Sequence, residues 1–241
     1  MYFTSLYIKN QATTIMTSGF FLINKPSGPT SHDVIDELRR ITGIRKIGHA
    51  GTLDPFASGL LIVAVEREAT RQISNFSKMD KAYIAKLRLG AVSDTQDRTG
   101  QITKTQKHEN TKTKIQIQNV LQQFVGEQTQ VPPMYSAKKV GGKKLYELAR
   151  KGVEIERKPV NINIYYIKML DYNYPDLEIE ARVSSGTYIR TLAHDIGQTL
   201  GCGAYLEELQ RTEIGDCKLK NAVETKNLTK DNWEKYLIEK P

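Results

Sequence analysis

Cysteine is nearly absent from this chain: two residues in 241, Cys202 and Cys217, with no CxxC pairing between them. That scarcity excludes a disulfide framework and a thiolate metal cluster, and it fits a reducing compartment. The four histidines, at positions 32, 49, 108 and 194, are scattered without zinc-ligand spacing, so no metal is expected. No apolar run approaches the roughly 18 residues that a membrane span requires. The N-terminus lacks the basic region followed by an apolar core that marks a secretory signal. No internal repeat is evident. These absences point to a cytoplasmic enzyme or binding protein, long enough for one large domain or two small ones.

Positive charge, by contrast, is plentiful. Lys and Arg outnumber Asp and Glu by 35 to 27, for a net charge of +8, which suits a polyanionic partner such as RNA. Much of the excess falls in residues 131–158, VPPMYSAKKVGGKKLYELARKGVEIERK, where eight cations face three acids. Tyr135 and Tyr146 are interleaved with Lys138, Lys139, Lys143 and Arg150. Cations neutralise phosphates, and aromatic faces stack on unpaired bases.

The stretch Gly48-His49-Ala50-Gly51-Thr52-Leu53-Asp54-Pro55 sets a single carboxylate among glycines and a proline. Pro55 fixes its own φ and pushes Asp54 towards an extended conformation. The expectation is a shaped loop that holds Asp54 at the mouth of a cleft, with His49 nearby.

Periodicity places the surrounding elements. Phe20–Asn24 and Leu60–Val65 read as buried strands, the second apolar on both faces. Val34, Ile35, Leu38 and Ile41 form one face of a helix capped by Thr30 or Ser31 and stopped at Gly43. Ala69–Phe76 reads as a helix. Lys81–Leu89 alternates, with Tyr83, Ala85, Leu87 and Leu89 on one face. Ile117, Val120, Leu121 and Phe124 mark an amphipathic helix after a solvated loop at 101–114. A short helix is expected over 144–151, strands near 160–164 and 177–183, and a helix carrying Ile189, Leu192, Ile196 and Leu200. A closing helix over 229–239 buries Trp233 and Leu237. Asp94 and Asp97 lack the further oxygen ligands of a calcium loop and are expected to order their own turn.

The string GHAGTLDPFASGLL resembles, almost residue for residue, the active-site motif of the bacterial TruB-type tRNA pseudouridine-55 synthases. Further landmarks follow in the family's order: KPSGPTS from Lys25, DTQDRTG from Asp94, PPMYSAKKVGG from Pro132, GTYIRTL from Gly186 and LQRT from Leu209. Together they run from about Gly19 to about Asn221. Ala50 and Phe56 replace the Thr and Leu usual in the family.

The resemblance implies an α+β fold: a mixed, mostly antiparallel central sheet flanked by helices, with a basic thumb insertion at 127–158. Residues 18–241 would form the catalytic domain and 1–17 a peripheral extension, with no PUA-type domain following. The implied reaction is isomerisation of one uridine to pseudouridine in the T-loop of tRNA, at the position in the family's name. Asp54 would act as nucleophile or base, with the route left open, and Arg190 would hold it ionised by lowering its pKa. Tyr83 would stack on the uracil. His49 would support or displace the everted nucleotide, Tyr188 and Leu209 would line the pocket, and Lys25 would contact substrate. The thumb residues Tyr135, Lys138, Lys139, Lys143, Tyr146 and Arg150 would grip the RNA. Substrate and product are isomers, so no cofactor or metal is implied. The partner would be the T-arm stem-loop of tRNA, met by a monomer with no obligate protein partner. Two rivals remain: a non-catalytic tRNA-binding or RNA-folding scaffold, and a hydrolase pairing Asp54 with Asp94 or Asp97.

Overall fold

A computed structural model of the chain describes residues 18–105, 112–136, 139–140, 142–149 and 152–241. The first elements are β1 (Gly19–Lys25), α1 (Ser31–Thr42), β2 (Ile47–Ala50) and β3 (Ser58–Val65). Then come α2 (Glu66–Thr70), α3 (Ile73–Ser77), β4 (Lys81–Leu89), β5 (Ala91–Ser93), β6 (Ile102–Lys104) and α4 (Lys114–Gln122). The insertion region holds β7 (Gly126–Gln130), β8 (Lys139–Val140), β9 (Lys143–Lys144) and α5 (Leu145–Ala149). The chain continues through β10 (Val160–Asn173), β11 (Asp176–Val183), α6 (Ile189–Thr199), β12 (Ala204–Ile214) and β13 (Cys217–Lys218).

The core of the fold is a nine-stranded sheet in the order β1-β3-β12-β4-β11-β10-β7, with β2 added on β3 and β13 on β12. Its pairings are antiparallel except that of β12 with β3. The fold is therefore α+β with a mixed, mostly antiparallel sheet, as the resemblance implied.

Local chemistry explains most of the boundaries. Thr30 and Asp33 form a reciprocal capping box at the start of α1, and Gly43, at φ 74°, ends it in the left-handed region. Val34, Ile35 and Leu38 bury the inner stripe of α1 against Leu61, Val63 and Val65 of β3. The alternate residues of β3, Leu60, Ile62 and Ala64, pack with Phe20 and Phe76 on the other face. That two-sided burial is why β3 is apolar at every position. The largest core cluster lies between the sheet and helices α4 and α6, joining Leu87, Ile179 and Leu206 to Ile117, Leu192 and Ile196.

Three expectations need correction. Residues 69–76 do not form one helix: α2 and α3 are separate short turns, broken at Arg71 and Gln72. The expected closing helix over 229–239 is a single 3₁₀ turn, Trp233–Tyr236, although Trp233 and Leu237 are buried as anticipated. Here the last residues serve the sheet instead, with the backbones of Phe20 and Ile238 exchanging hydrogen bonds. The stretch 127–130 belongs to edge strand β7, paired with β10, so the sheet takes the first residues assigned to the thumb. The N-terminal extension at 1–17 lies outside the described residues.

Gly59 shows how tightly β12 meets β3. At φ 106°, it lies so close to Arg211 that a methyl group there would collide with the Arg211 backbone N and O. Gly59→Ala is expected to cost on the order of 3 kcal/mol, read as a lower midpoint of urea unfolding. An unchanged midpoint would show that β3 and β12 can separate without loss.

Candidate active site

Asp54 sits in the loop between β2 and β3, and that loop is clamped from outside. Ser31 Oγ donates to the Leu53 carbonyl and accepts from its N–H, at 3.2 and 3.0 Å. Ser27 Oγ donates to Phe56 O at 2.8 Å, and Gly28 N to Pro55 O at 2.8 Å. Lys25, expected on the substrate, lies beneath this clamp. It is 0% exposed, and its Nζ donates to the carbonyls of Pro26, Pro29 and Pro55. All three ammonium protons are thereby used. Burial pulls its pKa down to about 8, against an opposing pull from Asp54. The structure thus gives Lys25 a loop-locking place and keeps it out of the cleft.

Arg190, the second residue of α6, reaches Asp54 from the far wall. Its Nε lies 2.9 Å from Asp54 Oδ2, and its Nη2 donates to Oδ1 at 3.4 Å. The guanidinium is buried and ties two further segments together. It donates to Thr95 O at 3.1 Å and Tyr135 O at 2.7 Å, and lies 3.4 Å from Asp97 Oδ2. Asp97 Oδ1 accepts from Thr95 Oγ1, Thr99 N and Thr99 Oγ1, so this carboxylate orders its own turn. Asp94 does the same through Gln101 N. A hydrolytic acid–base pair would need a free second carboxylate. Here Asp97 is buried and saturated, with an arginine between it and Asp54.

Burial raises the Asp54 pKa above its ordinary value, and Arg190 opposes that shift without reversing it. Arg190 thus lowers the Asp54 pKa as expected, but burial lifts it by more, so the net shift is upward. The side chain keeps 36% of its surface open to the cleft, but the walls around it exclude most of the water that would solvate its charge.

The cleft beside Asp54 has a volume of about 250 Å³. Tyr83 from β4, Leu209 from β12, and Tyr188 and Arg190 at the start of α6 all line it, so the structure brings these predicted residues to Asp54. Tyr188 is fixed by Gln130, whose side-chain amide bonds both its N–H and its carbonyl. His49 is not in the cleft wall: it lies half-buried on β2, opposite Val63, and burial lowers its pKa. Tyr135 contributes its backbone carbonyl to Arg190. Lys138 and Arg150 lie outside the described residues, and Lys139, Lys143 and Tyr146 are described through their backbone in β8, β9 and α5. A larger depression of about 650 Å³ on the β7–β10 edge is an open groove lined largely by amide and hydroxyl side chains, and does not include Asp54.

Two cleft residues escaped the sequence reading. Arg211 directly opposes Tyr83 across the β12–β4 ladder, and Lys81 is two residues before Tyr83 on the same face of β4. Arg211 was legible only as part of the LQRT run, and nothing in that run marks β12 as a central strand. Among the described residues, no helix is long and apolar enough to cross a membrane.

This fold is that of the pseudouridine synthases. In a Cbf5–Nop10–Gar1 complex the matching chain aligns with a TM-score of 0.67 at 30% identity, covering 86% of this chain and 52% of that one. An H/ACA ribonucleoprotein bound to a substrate RNA containing 2′-deoxyuridine gives 0.65 at 30%, covering 89% and 53%. The chain thus spans about half the length of these solved chains. Within that class it belongs to the TruB family: the TruB family pseudouridylate synthase N-terminal domain matches residues 39–189, and the tRNA pseudouridylate synthase B C-terminal domain matches 190–240. The boundary between the two matches runs through the site, with Asp54 on one side and Arg190 on the other. A tRNA pseudouridine synthase B of Protochlamydia amoebophila is 47% identical, covering 91% of this chain and 83% of the relative. Another, of Desulfotalea psychrophila, is 45% identical, covering 92% of each.

Proposed function

We propose that this protein isomerises uridine to pseudouridine in tRNA, and that its target is one uridine of the T-loop. Support for the reaction comes chiefly from one observation: a carboxylate held by a buried guanidinium on the wall of a nucleoside-sized cleft that also carries Tyr83, Tyr188 and Leu209. The names of its relatives support tRNA as the substrate. A base stacked inside a folded loop must be everted before its glycosidic bond can be reached. In this reading the uracil lies against Tyr83 and Leu209, and Asp54 faces the sugar. Arg190 fixes the carboxylate in register while the N1–C1′ bond breaks, the base turns, and C5 bonds to C1′. The basic segment after Gln130 rests on a tied base, since Arg157 donates to the Pro132 carbonyl across the two ends of the insertion. That anchoring suits a thumb pressing on the stem-loop of the T-arm. A cytoplasmic monomer acting alone accords with this reading.

Incubation with an unmodified T-arm stem-loop, followed by chemical mapping of pseudouridine, tests the proposal. One modified position within the loop is expected. A stem-loop left wholly unmodified, together with unmodified full-length tRNA, would overturn it.

A further inference from the structure

Lys81 and Arg211 form a pair of cations in the cleft whose presence the chemistry of Asp54 does not explain. Arg211 is 1% exposed and Lys81 6%. Arg211 Nε donates to Leu60 O and Nη2 to Gly51 O, both at 2.8 Å, and Tyr83 lies directly opposite it across the β12–β4 ladder. Lys81 Nζ donates to Ser77 O at 3.0 Å and Met79 O at 2.6 Å, which leaves one of its three protons over. Among the described residues neither cation has a carboxylate partner. Asp80, the nearest acid in sequence, accepts from the Tyr165 hydroxyl instead.

Buried charge without a counter-ion is expensive. The two cations also repel each other: burial lowers the Lys81 pKa to about 8, and Arg211 adds to that shift. Gly51, at φ 74°, borders the two cations: a methyl group there would rest in ordinary van der Waals contact with Arg211 Nη1 and Lys81 Cε, at 3.4 and 3.6 Å. A cost of this kind is repaid when an anion arrives.

We propose that Lys81 and Arg211 form a cationic floor that holds the carbonyl oxygens of the uracil ring and stabilises the negative charge it carries while detached from the sugar. The inference rests on the function proposed above. When the N1–C1′ bond breaks, its electron pair stays with the ring, spread over N1, O2 and O4. Asp54 meanwhile answers for the electron-poor sugar carbon. The pair is returned when C5 bonds to C1′, and the proton lost from C5 is matched by one gained at N1. No external reactant is consumed. Attached uracil is neutral and detached uracil is anionic, so the cations favour the detached state, which is what accelerates cleavage. Depth favours the base over a phosphate as the occupant: a phosphodiester stays on the RNA strand at the mouth of the cleft, whereas an everted base goes in first and rests on Tyr83, between the two cations on the sheet.

The test compares wild type, Lys81→Met, Lys81→Gln and Lys81→Arg on a T-arm stem-loop carrying uridine or 5-fluorouridine at the target position. Lys81→Gln keeps a donor for the Ser77 and Met79 carbonyls, so a charge-free variant is available should Lys81→Met fail to fold. The charge-free variants are expected to cleave the glycosidic bond of uridine about 10²-fold more slowly in single turnover, with RNA affinity and its salt dependence retained. Lys81→Arg is expected to recover most of the rate. Fluorine makes the departing ring less basic, so the deficit on 5-fluorouridine is expected to shrink by roughly tenfold. Equal deficits on both substrates, or weaker RNA binding with a shallower salt slope, would overturn the inference. A wild-type rate in the charge-free variants would sink it alone, whereas a wild-type protein inactive on uridine would sink the proposed function and this floor with it.

Discussion

Asp54→Asn is expected to abolish pseudouridine formation, slowing it on the order of 10⁴-fold or more, while the protein still binds the T-arm stem-loop. Asparagine keeps the shape and loses the charge that the chemistry needs. The fold should not suffer. Arg190 remains satisfied by Asp97, Thr95 O and Tyr135 O after the substitution. The pH dependence has a definite sign. Burial raises the folded-state pKa of Asp54, so the folded protein holds this proton more tightly than the unfolded chain. Above the ordinary carboxylate range, the ionised group therefore subtracts from stability, and the penalty vanishes once pH is low enough to protonate both states. Asp54→Asn should thus unfold at the wild-type temperature or above it at neutral pH, with any difference closing as the solution is acidified. Calorimetry across pH, run beside the turnover assay, checks both halves. Full turnover by the variant would show that Asp54 is not the group that carries the reaction.

Arg190→Met is expected to fail in both activity and stability. Arg190 is 3% exposed, and its guanidinium serves two carboxylates and two carbonyls from three loops. Removing it strands those acceptors in a poorly solvated place, which costs about 3–5 kcal/mol for a broken buried pair, or roughly a 10 °C loss in melting temperature. Part of that loss should return as pH falls and Asp54 takes up a proton. Lysine is no substitute, because one ammonium cannot span the planar fork of contacts that Arg190 makes. A methionine variant that melts and turns over like wild type would show that the Asp54–Arg190 pair is incidental.

Local pattern made several elements legible before any coordinates. The capping box at Thr30 and the stop at Gly43 depend on neighbours within one turn, and β3 betrays its two-sided burial by a run without a polar residue. The split between α2 and α3 was not legible, because the apolar spacing of residues 69–76 suits one helix as well as two turns. The 3₁₀ turn at Trp233 is hidden in the sequence for a related reason. Trp233 and Leu237 are spaced for a helix, but their burial is set by α1 and the first strand rather than by a helix of their own.

The carboxylate, its arginine and the two pocket tyrosines were named from the order of residues along the chain, because Asp54, Arg190, Tyr83 and Tyr188 sit in strings whose composition is itself distinctive. Lys25 and His49 occur in the same strings and have different fates, one locked beneath a loop and one turned into a strand edge. A string records which residues are adjacent, while burial and facing depend on partners far away. Arg211 shows this most clearly. It becomes part of the floor because β12 inserts between β3 and β4, and that insertion is decided by the close approach of Gly59, a residue 152 positions earlier. Sequence singled out the cleft carboxylate and its counter-ion. Only the packing of distant strands decided which other cations share their cleft.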